Sequence, residues 1–135
     1  MARRGVVAVL LPGTTFYLRE KHFVPARQMI GAGVPVALAT DFNPGSCPNN
    51  NLQIIMTLAS LYLEMTPAEV VNAMTINAAH ALRLGSRIGS LEVGKQADIV
   101  LFDAPSYLYL PYRFGANLVN LVVKRGRVVQ EKDTA

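Results

Sequence analysis

Residues 34–46 read VPVALATDFNPGS, and the way this stretch divides decides the fold. Its first seven residues are an uncharged apolar run, of the kind carried by a strand covered on both faces; the rest is a loop rich in Pro, Gly, Asn and Ser. Asp41 stands at the junction, and the residues leave two readings of it open. It can be a turn residue, because Asp, Asn, Pro, Gly and Ser all favour turns. It can also be a chemical one, because side chains at the carboxyl ends of parallel strands face the ligand site in α/β sheets and barrels.

Working outward, a second β-branched run, residues 5–11 (GVVAVLL), lies upstream and ends in Pro12-Gly13, which reads as a turn. Residues 25–32 (PARQMIGA) read as a short helix with Pro at its first position and Gly31 and Gly33 at its end. The order strand, loop, helix, strand implies parallel strands joined by a right-handed crossover. Downstream, Leu52, Ile55, Met56, Ala59 and Leu63 fall on one face of a helix over residues 52–64. Thr66-Pro67-Ala68-Glu69 is a capping box with Pro at the first helical position, and the helix it starts is expected to reach about Leu84, with Gly85 as its stop. From Gly89 the period changes: residues 99–102 (IVLF) and 118–123 (LVNLVV) read as strands, the second followed by a hairpin turn at Arg125-Gly126. The expected division is therefore an α/β part, residues 1–84, and a β layer, residues 85–135.

The 135 residues are one domain's worth of chain, yet 51% are hydrophobic and the mean hydropathy is +0.28, high for a free-standing domain. No apolar run is long enough for a transmembrane helix, and the run after Arg3-Arg4 reads as a buried strand rather than a leader because no cleavage site follows it. One cysteine, Cys47, excludes an internal disulfide and fits a reducing, cytoplasmic setting. The net charge of +4 is scattered along the chain, which argues against a nucleic-acid stripe.

A carboxylate at a strand end can ligate a metal and take a proton from water, and a rigid strand end suits that work. Asn43, Gly45 and Ser46 on the same loop offer an amide, backbone N–H groups and a hydroxyl to a polar or anionic substrate. A lone aspartate is not a metal site, and the other candidate ligands read as ordinary residues: His80 within a helix, His22 in a loop, Cys47 between prolines and without a partner cysteine. Glu92 and Asp98, flanking Gly94-Lys95, read as a solvated turn between strands, and Tyr107, Tyr109 and Tyr112 as packing. Neither a nucleophile elbow, a P-loop nor a dinucleotide glycine pattern occurs.

The strings ATDFNPGSCP, GVVAVLLPGTTFYL, MTPAEVVNAMTINAAHAL, GSLEVGKQADIVLFDAP and YLPYRFGANLV together resemble the C-terminal part of the imidazolonepropionases, a family of metal-dependent amidohydrolases. GSLEVGKQAD alone points only to some amidohydrolase; DFNPGS with YLPYRFG narrows the likeness. The resemblance implies an α/β fold, the last two strands and helices of a (β/α)8 TIM barrel, plus part of a small β-sandwich domain. It implies that Asp41 is the eighth-strand metal ligand, for Zn or Fe, and a proton carrier, and that Asn43, Gly45 and Ser46 contact the substrate. The implied reaction is hydrolysis of 4-imidazolone-5-propanoate to N-formimidoyl-L-glutamate, in histidine degradation. The family's metal-binding histidines have no counterpart here and would lie upstream, so the chain reads as a fragment, inactive alone. Its partners would be the small-molecule substrate and, through exposed barrel faces, other copies or the missing part, but no nucleic acid or membrane. Another amidohydrolase, such as a deaminase, and a non-catalytic scaffold that kept the fold stay open as alternatives.

Overall fold

A computed structural model describes residues 1–132. After a 3-10 turn (Ala2–Arg4), β1 (Ala8–Leu10) pairs in parallel with β2 (Val36–Leu38), in the register Ala8↔Val36, Val9↔Ala37 and Leu10↔Leu38. Both strands are shorter than the apolar runs that contain them. Neither has a second neighbour among the described residues, so each lies at an edge. All of β2 is buried, whereas in β1 Ala8 and Leu10 face the core and Val9 is exposed.

The chain between the two strands differs from expectation at its start. Pro12-Gly13 does not make a turn; it opens a helix, α1 (Pro12–Tyr17). Proline suits that first position because its fixed φ is already helical and the N–H it lacks would have no partner there. Next, α2 (Ala26–Gly31) falls where the Pro and Gly signals put it, and Gly33 leaves it with a φ of 73°.

Helix α3 (Leu52–Tyr62) starts at Asn51, whose side chain accepts the Gln53 N–H. Ile55, Met56, Ala59 and Leu63 are buried as the spacing implies; Leu52 is exposed, because it lies in the first turn, ahead of the packed face. The capping box forms with both reciprocal bonds, and α4 (Pro67–Met74) follows. The single helix expected to reach Leu84 breaks at Thr75 (φ −119°, ψ −93°) and resumes as α5 (Ile76–Ala81). The Thr75 hydroxyl donates to Val71 O at 2.7 Å, a local bond that competes with the helical ladder. The break lets Asn77 Nδ2 reach Val36 O on β2 at 2.8 Å, satisfying an edge carbonyl.

A single apolar cluster fills the space between the parallel pair and helices α2, α3 and α4, with Ile55, Val70 and Ala73 wholly enclosed. Leu110, from the short α6 (Tyr109–Tyr112), joins the same cluster. Beyond it β3 (Ile99–Phe102), β4 (Val119–Lys124) and β5 (Arg127–Glu131) form an antiparallel sheet in sequence order. The β4–β5 turn has Arg125 at φ 52° and Gly126 at φ 75°, the doubly left-handed geometry of a tight hairpin. Buried Gln53 ties this sheet to α3: its Oε1 accepts Leu118 N–H (2.9 Å) and its Nε2 donates to Asn117 Oδ1 (3.0 Å).

Two side-chain readings need correction. Tyr107 and Tyr112 are exposed rather than packed, since α6 turns Leu110 and Pro111 inward instead; Tyr109 and Tyr112 lie against each other. The turn at Glu92–Lys95 precedes β3, but no strand stands on its other side among the described residues. Residues 133–135, the end of the expected β layer, lie outside the described residues.

Candidate active site

Because β1 and β2 run in parallel, their carboxyl ends lie at the same end of the pair, and so do the segments that follow them. After β1 comes the first turn of α1; after β2 comes the loop that carries Asp41. Gly13 lets them meet. A Cβ there would lie 2.7 Å from Ile55 Cδ1 and 3.1 Å from Cys47 Sγ, so only glycine permits α1 to sit this close to α3 and to the loop.

Asp41 is exposed and has a left-handed backbone (φ 53°), which Asp tolerates better than most residues. Its carbonyl accepts from Asn43 Nδ2 at 2.6 Å, and its Oδ2 accepts from Thr14 Oγ1 at 3.0 Å. Oδ1 accepts no hydrogen bond among the described residues. The carboxylate is thus anchored by one oxygen and open at the other.

Asn43, Gly45 and Ser46 are brought together in one closed loop, sealed by mutual backbone bonds between Asn43 and Cys47. Asn43 Oδ1 accepts the Gly45 and Ser46 N–H groups at 2.9 and 2.8 Å, an Asx turn. Its amide nitrogen also lies 2.9 Å from Ser46 Oγ. The donors that could receive an anionic group are therefore held by Asn43, whose side chain must swing aside to release them. The opening stretch is a turn, and that turn sets the Asp41 carboxylate just beyond the carboxyl end of β2.

The remaining candidates lie elsewhere. Cys47 is buried at 1% exposure against Gly13, His80 packs its ring on Gly85, and His22 is exposed in the loop between α1 and α2. Among the described residues no three His, Cys, Asp or Glu side chains come together to hold a metal ion. Asp41 fits one place in a ligand set that the described residues do not complete. Sequence reasoning missed Thr14: taking Pro12-Gly13 as a turn hid the helix that brings its hydroxyl to Asp41.

Strong electrostatics lie away from this loop. Arg27 makes a two-pronged ion pair with Glu69, which also accepts from Thr66, and these donors hold the Glu69 carboxyl down at about 2. Lys124, followed by the Arg125 N–H, lowers Asp98 likewise to about 2, clamping the start of β3 to the hairpin turn. Ser90 and Lys95 both donate to Glu92 and lower its pKa. These three carboxylates brace caps and turns.

The Amidohydrolase family profile matches residues 3–129. The imidazolonepropionase of Alkaliphilus oremlandii is 57% identical over 132 residues, which cover 98% of this chain and 31% of that protein. That of Bacillus velezensis is 51% identical over the full chain, 32% of its own length. The chain thus spans about a third of the curated relatives it matches. Among solved structures, a zinc-bound adenosine deaminase from Xanthomonas campestris superimposes with a TM-score of 0.85 at 30% identity, over 94% of this chain and 32% of its own. Guanine deaminase from E. coli shares the fold at a TM-score of 0.78 and 18% identity, over 98% of this chain and 36% of its own. No helix among the described residues is long and apolar enough to cross a membrane. With the family profile covering nearly its whole length and a carboxylate held at the end of its second parallel strand, this α/β chain belongs to the amidohydrolase family.

Proposed function

We propose that this chain is the C-terminal active-site segment of an imidazolonepropionase, which hydrolyses the ring amide of 4-imidazolone-5-propanoate to N-formimidoyl-L-glutamate. The observation that carries the reading is identity of 51–57% across essentially the whole chain to imidazolonepropionases. Identity to the aligned deaminases is lower, at 30% and 18%. Residues 1–84 are read as the last two strand–helix units of a (β/α)8 barrel, supported by the parallel β1–β2 pair, beside which no further strand lies among the described residues. Residues 85–135 are read as part of a small β-sandwich, supported by the antiparallel β3–β4–β5 sheet.

In this reading Asp41 Oδ1 accepts a proton from the attacking water while Oδ2 stays on Thr14. The water oxygen bonds to the ring carbonyl carbon, the carbon–nitrogen bond breaks, and Asp41 returns the proton to the leaving nitrogen. Asn43, Gly45 and Ser46 receive the polar groups of substrate and product once the Asn43 side chain turns. A bound Zn or Fe ion supplies Lewis acidity and a more acidic water, with ligands besides Asp41 coming from outside this chain. The compartment is the cytoplasm, the partners are the substrate and the remaining barrel, and the isolated chain does not turn over.

The test joins this chain to the N-terminal portion of the Alkaliphilus oremlandii relative and follows loss of the imidazolone ultraviolet absorbance. Turnover by the joined protein and none by the chain alone is expected. Deamination of adenosine or guanine without imidazolone hydrolysis would move the assignment to a deaminase. A folded, metal-loaded protein inert toward all of these would favour a scaffold.

A further inference from the structure

We propose that Thr14 is a positioning residue for Asp41, seated for that task by Gly13. The inference rests on the proposed role of Asp41 and adds a residue from a different element.

An exposed carboxylate on a loop turns freely about its last torsion, which is broad and roughly two-fold, so its two oxygens exchange places. The Thr14 hydroxyl, reaching Asp41 Oδ2 at 3.0 Å from 27 residues away, picks one oxygen and leaves Oδ1 with its lone pairs free. Thr14 is half-buried and Asp41 is exposed, so the ordered donor sits on the better-packed side. Before substrate enters, the backbone is held separately by Asn43 Nδ2 on the Asp41 carbonyl, which leaves side-chain orientation as what Thr14 decides. Thr15 is the natural contrast: its hydroxyl bonds back to Leu11 O within its own helix, as threonines in first turns commonly do. Of two adjacent threonines, only Thr14 reaches out to the loop. The close approach permitted by Gly13 sets the distance, since any added carbon there would push α1 off Ile55 and Cys47.

The experiment uses the joined protein described above, with zinc as the metal probe. Partners of this outer kind typically cost about 10–100-fold in affinity or activity when removed. Thr14→Val is therefore expected to lower kcat by about 10–100-fold at little changed KM and to weaken zinc retention against a chelator by a similar factor. Thr14→Ser should restore both, and Thr15→Val should leave them unchanged. Combined with Asp41→Ala, which leaves the Thr14 hydroxyl nothing to hold, Thr14→Val should weaken zinc retention no further, because the two act as a unit. The proposal is overturned if Thr14→Val keeps kcat and zinc retention within about two-fold, if Thr14→Ser fares as badly as Thr14→Val, or if the two substitutions add. An Asp41→Asn protein without turnover beside an unimpaired Thr14→Val protein refutes this inference alone. An active Asp41→Asn protein refutes the underlying reading as well.

Discussion

A methyl group at residue 13 would have to share space with Ile55 Cδ1 at 2.7 Å and Cys47 Sγ at 3.1 Å, and neither side chain can withdraw because both are buried. Alanine inside an exposed helix would gain about 1 kcal/mol over glycine by propensity. Here the clash is expected to win: Gly13→Ala should destabilise the protein by about 1–3 kcal/mol, read as a lowered urea midpoint at constant slope. A stabilised variant would mean that α1 does not sit as described. Asp41 makes the complementary residue-scale prediction. On the proposed mechanism Asp41→Asn keeps the shape but removes the proton acceptor, so kcat of the joined protein should fall by at least about 10²-fold with its thermal midpoint nearly unchanged.

At the scale of elements, the start of α4 is the most heavily braced point in the α/β part. Thr66 and Glu69 satisfy each other's backbone N–H groups, and Arg27 from α2 adds its fork to the same carboxylate. Thr66→Ala should cost about 1 kcal/mol through the lost cap, measured by denaturant unfolding. Glu69 and Asp98 both sit at about 2 in the folded chain, below their ordinary values of ~4.3 and ~3.9. A depressed carboxylate contributes stability that is fully present above its unfolded pKa and is lost as pH falls toward the folded one. Stability should therefore be flat near neutrality and fall between about pH 5 and pH 2, and Glu69→Gln should make that acid limb shallower. The slope will be modest, because Arg27 is 41% exposed and solvent screens the pair. In the hairpin, Gly126 holds φ 75°; Gly126→Ala should cost about 1–2 kcal/mol from left-handed strain, again read by unfolding.

For the whole molecule, the decisive observation is how much apolar surface is left uncovered. Val9 in β1, Phe16, Tyr17 and Leu18 around α1, Leu82 after α5, and Val128 and Val129 in β5 are all exposed, and among the described residues no further strand pairs with either edge of the parallel pair. Open edges and contiguous apolar surface favour association. The chain alone is expected to show concentration-dependent oligomers by sedimentation, whereas the joined protein, whose proposed barrel covers those surfaces, should not need them for solubility. Val9→Lys should reduce the association of the isolated chain and, on the barrel reading, which encloses the same face, impair folding of the joined protein. A strictly monomeric isolated chain at high concentration would count against the barrel reading.

Much of this was legible in the residues themselves. The capping box, the short helix between Pro25 and Gly33, the hairpin at Arg125-Gly126 and the β3 strand were readable because each depends on local rules: a fixed φ, a side chain returning to its own backbone, a left-handed glycine. The place of Asp41 at a strand end was readable for the same reason, as the junction between an apolar run and a turn-rich one. Local rules could not say that Pro12-Gly13 opens a helix, because glycine there answers to Ile55 and Cys47, side chains more than thirty positions away. Nor could they break the helix at Thr75, since its continuation follows Asn77 to the open carbonyl of Val36 on β2. The sequence by itself determined the family, most of the elements and the loop that carries the carboxylate. Only the tertiary structure decided which oxygen of Asp41 is left free, because that choice belongs to a hydroxyl delivered by another element across a close-packed contact.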